Sequence, residues 1–167
     1  NPSFYFRHYH SEHFWWDNSL SKEFRTRIEG TVGIERLRTK LSAGIETIKD
    51  YTYLANRSIP NAAGNGFLNR IAVAQESDNI QVFSATLNQD FKLGILHLDT
   101  ELTYQNSSNK EVLPLPELNA YANVFIKFRI ARVLNTELGA DARYFTEYYA
   151  PDYSPELGQF VQQNQAD

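Results

Sequence analysis

The 167-residue chain contains no cysteine and no methionine. Without cysteine there can be neither a disulfide framework nor a thiolate metal site. The chain begins Asn1-Pro2 rather than with an initiator residue, and no apolar stretch has the character of a secretion signal, so a targeting segment is expected upstream or already removed. Long hydrophobic runs are missing as well. None approaches the roughly 20 consecutive apolar residues with which a helix crosses the hydrocarbon layer. Charge is not one-sided: 16 Lys and Arg against 20 Asp and Glu give a net charge of -4, with the two signs mixed along the chain. A nucleic-acid partner would call for a basic stripe interleaved with aromatics, so none is expected. No sequence repeat of a length typical of solenoids or propellers is visible.

What is present is a rule of parity. In six segments, 20–33, 38–53, 80–92, 95–105, 117–130 and 135–147, nearly every charge falls on alternate positions, with apolar residues on the others. Arg25, Arg27 and Glu29 alternate with Phe24, Thr26, Ile28 and Val32; Lys40, Ser42 and Glu46 alternate with Leu41, Ala43 and Ile45. Ser84, Thr86, Asn88 and Asp90 alternate with Phe83, Ala85, Leu87 and Phe91, as His97, Asp99 and Glu101 do with Leu96, Leu98 and Leu102. The last two segments set Asn123, Lys127 and Arg129 against Ala122, Val124, Ile126 and Phe128, and Glu137, Asp141 and Arg143 against Leu138, Ala140 and Ala142. Period-two alternation specifies β-strands, because successive side chains leave a strand on opposite faces.

A half-buried soluble sheet shows the same alternation. Two further features favour a membrane barrel. Connections alternate between tight, at Gly33 to Arg38, Lys92 to Gly94 and Ala131 to Asn135, and long and polar, at 54–79 and 106–117. Outer-membrane barrels have this rhythm of short turns and long loops joining strands of roughly 10 residues. Tyr and Trp also collect at the loop ends of the strands: Trp15, Trp16, Tyr51, Tyr53, Tyr104, Tyr144, Tyr148 and Tyr149. Amphipathic rings prefer that interfacial depth. The low mean hydropathy of -0.48 does not contradict a barrel, since only every second strand residue would meet lipid. Six strands are fewer than the about 8 of the smallest membrane barrels, so residues 1–167 are read as one fragment of a larger barrel.

Outside the six segments, 4–10 reads as a strand end leading into an aromatic, His-rich loop at 10–19. The end from Glu147 to Asp167 reads as loop, with Gln159 to Gln163 able to begin another strand. No helix is expected, and Gly64-Asn65-Gly66 reads as a flexible turn, because no strand-to-helix step with a lysine follows it as a phosphate loop requires. His8, His10 and His13 with Glu12 and Asp17 have ligand chemistry but no diagnostic spacing, and an interfacial loop is the simpler account; no metal or other cofactor is expected. His97 beside Asp99 and Glu101 invites an acid–base reading. No nucleophile accompanies it, and a hydrogen-bonded histidine on a wet wall explains it better, so the chain is not expected to be an enzyme.

The stretches His8-Tyr9-His10-Ser11-Glu12-His13-Phe14-Trp15-Trp16-Asp17-Asn18, Val82-Phe83-Ser84-Ala85-Thr86-Leu87-Asn88-Gln89-Asp90-Phe91 and Tyr144-Phe145-Thr146-Glu147-Tyr148-Tyr149-Ala150-Pro151 resemble the putative β-barrel porins of Bacteroides-type outer membranes. The resemblance extends over nearly the whole chain and corresponds to a part toward the carboxyl-terminal end of such a protein. It implies location in the bacterial outer membrane and a pore role, and it brings no catalytic residue with it.

The expectation is therefore an all-β, antiparallel up-and-down meander, curved into part of a transmembrane barrel that passes small hydrophilic solutes by diffusion. Its lumen-lining residues would be Arg25, Arg27, Glu29, Lys40, Glu46, Asp90, Asp99, Glu101, Lys127, Arg129, Glu137, Asp141 and Arg143. Such a wall either orients solutes by a transverse field or holds neighbouring strands by ion-pair ladders. Its partners would be outer-membrane lipid and lipopolysaccharide, small hydrophilic solutes or ions, and a second copy of itself if it oligomerises. Two alternatives remain: a soluble β-sandwich or calycin-like module that binds a sugar, and a plugged barrel with a structural or adhesive role.

Overall fold

Alternation is converted into a sheet whose strands all obey it in register. The structure, a computed structural model, describes residues 3–60, 63 and 67–163; the expected turn at Gly64-Asn65-Gly66 lies outside them. In chain order the strands are β1 (His8–His10), β2 (Trp15–Asp17), β3 (Phe24–Ile34), β4 (Thr39–Lys49), β5 (Tyr51–Pro60) and β6 (Phe67–Glu76). They continue as β7 (Ile80–Leu93), β8 (Leu96–Ser107), β9 (Leu118–Ile130), β10 (Leu134–Phe145), β11 (Asp152–Ser154) and β12 (Gln159–Gln163). A single helical turn, α1 (Phe4–Arg7), precedes them, and a 3-10 turn at Glu35–Leu37 joins β3 to β4.

The main sheet has six strands in the order β3-β4-β7-β8-β9-β10. All neighbours are antiparallel. The tight connections, at 35–38, 94–95 and 131–133, share one end, where Asp90 N donates to the Arg38 carbonyl at 3.2 Å and Lys127 N to that of Ile95 at 2.9 Å. The long connections share the other. The outer edges of β3 and β10 pair with no strand among the described residues, so the sheet does not close on itself.

Register carries the apolar parity across the whole sheet. Ile28 faces Ile45, Ile45 faces Phe83, Leu87 faces Leu102, Leu98 faces Val124, and Ile126 faces Leu138. Directly opposed residues point to the same side, so these form one continuous apolar face. It is uncovered. Leu41, Ile45, Val124 and Leu138 are 50, 54, 45 and 65% exposed, and no second layer of the described residues packs on it. That is the opposite of a soluble half-buried sheet, whose apolar side is its core.

Four expectations need correction. The segment 38–53 is two strands, broken at Asp50, whose left-handed φ of 55° reverses the pleat and which a short polar side chain tolerates. The connection 54–79 is no loop: β5 and β6 pair as a hairpin that continues β4 and β7. Ile48 faces Ile80 and the next pair is Tyr51 with Glu76, so residues 49–50 oppose 77–79 and the register slips by one. Residues 4–7 are a helical turn rather than strand; 8–10 are a strand as expected, but the stretch 10–19 is no simple loop, since β2 at Trp15–Asp17 pairs back with β1 as a hairpin. After 147 the chain is more than loop: β12 forms at Gln159–Gln163, where the sequence allowed a strand, but β11 precedes it, and β12 pairs with β11 and runs parallel to β5, completing a four-stranded sheet β11-β12-β5-β6.

The buried cores lie at the loop end. One gathers Trp16, Leu54, Leu157 and Val161, with Tyr5, Phe6, Tyr9, Phe14, Ile71 and Val73 packed around them. The Trp16 indole donates to the Tyr5 carbonyl at 2.9 Å, and the Tyr5 hydroxyl donates to the Leu157 carbonyl at 3.1 Å. Trp16 is thus a core residue and not an interfacial one, whereas Trp15 is exposed. The second core joins Ile48, Ile80 and Val112, with Tyr51, Tyr53, Val82 and Leu113 against them.

Candidate functional site

The same register that unites the apolar face assembles the charges on the other. Arg25, Arg27 and Glu29 come from β3, Lys40 and Glu46 from β4, and Asp90 from β7. Asp99 and Glu101 come from β8, Lys127 and Arg129 from β9, and Glu137, Asp141 and Arg143 from β10. Cross-strand pairing puts all of them on one side of the sheet.

They are laid out in rows across the strands. Nearest the loops are Arg25, Arg27 and Glu46. Arg25 reaches Glu23 at 2.5 Å and Glu46 at 3.7 Å, and Arg27 reaches Glu29 at 2.6 Å. A hydroxyl row follows: Thr31 opposes Ser42, Ser42 opposes Thr86, and Thr86 opposes Thr103. Their oxygens meet at 3.0 Å between Thr31 and Ser42 and at 3.1 Å between Thr86 and Thr103. Next come Lys40, Asn88, Glu101, Tyr121 and Arg143, each opposite the next. The Arg143 guanidinium lies 5.4 Å from the Tyr121 ring centre.

Below them is an acidic row. Asp90 opposes Asp99, Asp99 opposes Asn123, and Asn123 opposes Asp141. None of the three carboxylates has an ion-pair partner among the described residues. Like charges directly opposed destabilise a strand pair, so this row requires water or mobile cations to screen it. Toward the turns Lys127 pairs with Glu137 at 2.7 Å, and the Arg129 Nε donates to the Asn135 side chain at 2.9 Å. The charged face thus carries ion pairs at Arg25, Arg27 and Lys127, with the unpaired carboxylates of Asp90, Asp99 and Asp141 between them.

Aromatic residues on this face were not anticipated from the charge pattern. His97 stacks on Phe125 with ring centres 5.0 Å apart at 10°, and the Lys127 ammonium lies 5.1 Å from the same ring. Phe125 opposes Gly139, where a Cβ would sit 2.5 Å from the Phe125 Cβ and from the Val124 carbonyl. The glycine permits a close approach of β9 and β10 beneath an aromatic. The signal was there to read: Tyr121 and Phe125 hold the polar parity of β9. His97 is accordingly a stacked residue of the polar face.

The loop-end histidines are dispersed. His8 contacts Asp17 at 2.7 Å across the β1–β2 hairpin, and His13 contacts Glu156 at 2.9 Å. No group of three His, Asp or Glu side chains converges on one point among the described residues. The expected aromatic belt is partly present: Tyr104 and Tyr144 are exposed on the apolar face at its loop end, and Tyr149 is exposed beyond it. Tyr51 and Tyr53 instead stack at 5.8 Å in the second buried core. No helix is long and apolar enough to cross a membrane, a fact that says nothing about strands.

No curated protein and no solved structure matches the chain in comparison. A family model does, and it matches residues 1–167, the full length given. An all-β chain whose antiparallel meander is apolar on one face and charged on the other thus belongs to the family described as Putative porin.

Proposed function

We propose that this chain is an arc of an outer-membrane β-barrel that lets small hydrophilic solutes and ions diffuse passively, with the charged face lining the lumen and the apolar face against lipid. The observation that carries the reading is the uncovered apolar face, continuous over six antiparallel strands. In water such a face would be an aggregation surface; in a bilayer it is the required exterior. A charge on that side would cost about 2–4 kcal/mol at the midplane, which accounts for the confinement of Arg, Lys, Asp and Glu to the opposite parity except for Lys49 at the loop end of β4. The open edges of β3 and β10 are where further strands would pair to complete the ring. Aromatic side chains at the loop end would meet headgroups and lipopolysaccharide. The wall acts by its field and its width, without catalysis.

Conductance of the complete barrel in planar bilayers tests this. Under a salt gradient, neutralising the acidic row in the D90N/D99N/D141N variant should move the reversal potential toward anion preference. The K127E/R129E variant should move it toward cations, since two positive charges become two negative. A pore whose reversal potential ignores both changes does not conduct along this face, and a barrel that passes no current is not a diffusion porin.

A further inference from the structure

We infer that residues 108–117, between β8 and β9, are a constriction segment that narrows the pore and sets the size of solute it admits. The inference rests on the polar face lining the lumen. Its starting point is a local failure of parity. Ile48, Ile80 and Val82 occupy positions of the polar face yet are apolar, and Ile48 and Ile80 are only 3 and 1% exposed. The loop covers them together with Tyr51 and Tyr53 of β5: Val112, 6% exposed, and Leu113 belong to the same cluster. A loop that merely stood out into water would have no reason to bury its apolar residues on the charged side of the sheet.

The segment is fastened there by its backbone. Ser108 N donates to the Gln81 carbonyl at 2.8 Å, and Gln81 N to the Ser108 hydroxyl at 2.9 Å. The Asn109 side chain accepts from Val112 N at 3.1 Å, while its carbonyl accepts from Leu113 N at 3.0 Å and from the Ser107 hydroxyl at 3.0 Å. Pro114 and Pro116 restrict the backbone beyond this turn. Between loop and wall remains a cavity of about 400 Å³, with Leu113 and Leu115 on the loop side and Arg25, Arg27, Glu46 and Gln105 on the wall. A solute passing there meets hydrocarbon on one side and paired charges on the other, so the gap suits small molecules with one polar edge.

Residues 1–167 contain no cysteine, so L115C adds the one thiol of this stretch, and the complete barrel without L115C, treated with the same reagent, is the control. With L115C in the complete barrel, a bulky methanethiosulfonate reagent added after bilayer insertion should lower conductance by roughly half or more, reversibly on reduction, as expected for a group filling the narrowest section. The same reagent on L138C, on the apolar face, should change nothing. Replacing 110–116 by Gly-Ser-Gly should raise conductance roughly twofold and enlarge the solutes that enter liposomes. Labelling follows insertion, so its readout stands even if the loop replacement fails to fold. Unchanged conductance after labelling of L115C, verified by mass, overturns the constriction while leaving the porin reading intact. A wild-type barrel that carries no current overturns that reading instead.

Discussion

The six-stranded sheet and the loop-end assembly of α1, β1, β2, β5, β6, β11 and β12 are built from the same residue types turned opposite ways. In the assembly, Trp16, Leu54, Leu157 and Val161 are buried and aromatic rings close around them, as in any protein folded by water. In the sheet the apolar residues lie uncovered on one side and nearly all the charged ones share the other. On the proposed membrane reading, the difference lies in the solvent each region is made for. Hydrocarbon rewards apolar exteriors but leaves no backbone group unpaired, which long continuous ladders satisfy; water rewards apolar interiors, which the loop end supplies above the strands.

That contrast can be broken from either side. The largest effect is expected from L54A, since Leu54 is 3% exposed in the loop-end core. Truncation of a buried leucine costs about 2–5 kcal/mol. Proteolysis and hydrogen exchange should show β5, β6 and β12 opening while β8–β10 stay protected; if the whole barrel unfolds with them, the two regions are one cooperative unit. Next is a pair of neighbours on opposite faces. V124R places charge on the apolar side and should cost about 2–4 kcal/mol in lipid-refolding titrations, whereas N123R, one residue away on the polar side, should cost well under half of that. Equal costs would mean that the two faces share a solvent.

Smaller effects sharpen the picture. Ala131 and Arg132 both have left-handed φ, 50° and 62°, in the tight turn closed by Val133 N to the Ile130 carbonyl at 3.1 Å. Asn-Gly suits that turn, so A131N/R132G should stabilise the β9–β10 hairpin by about 1–2 kcal/mol, read as a shift in the refolding midpoint. No shift would show that lipid-side contacts hold the turn whatever its residues. Last, burial raises the Tyr5 hydroxyl above its ordinary 10.0, helped by the neighbouring Tyr9. The folded state therefore holds this proton longer than the unfolded chain, so stability is retained below pH 10 and declines as pH rises beyond it. Y5F should remove that alkaline decline at the loop end, at the cost of one hydrogen bond, about 0.5–1.5 kcal/mol; a decline that persists in Y5F has another origin.

Alternation alone determined much here. Phe24 to Val32, Phe83 to Phe91 and Ala122 to Phe128 state strand, face and neighbour parity, because a period of two can be satisfied only by a pleated strand with two different surroundings. The tight turns were equally readable from their brevity, and the grouping of Arg25 to Arg143 on one face of the sheet followed from parity. What the sequence could not state was where parity stops meaning the same thing. Ile48, Ile80 and Val82 keep strand periodicity but are covered by Val112 and Leu113 from a distant loop. Trp16 alternates like an interfacial residue, yet Leu157 and Val161 enclose it. The pairing of β12 with β5 joins residues more than a hundred positions apart. Local pattern records how side chains leave the backbone, and that depends only on neighbours in the chain. Which surface covers them depends on how far segments travel and where they return, and only the tertiary structure decides that.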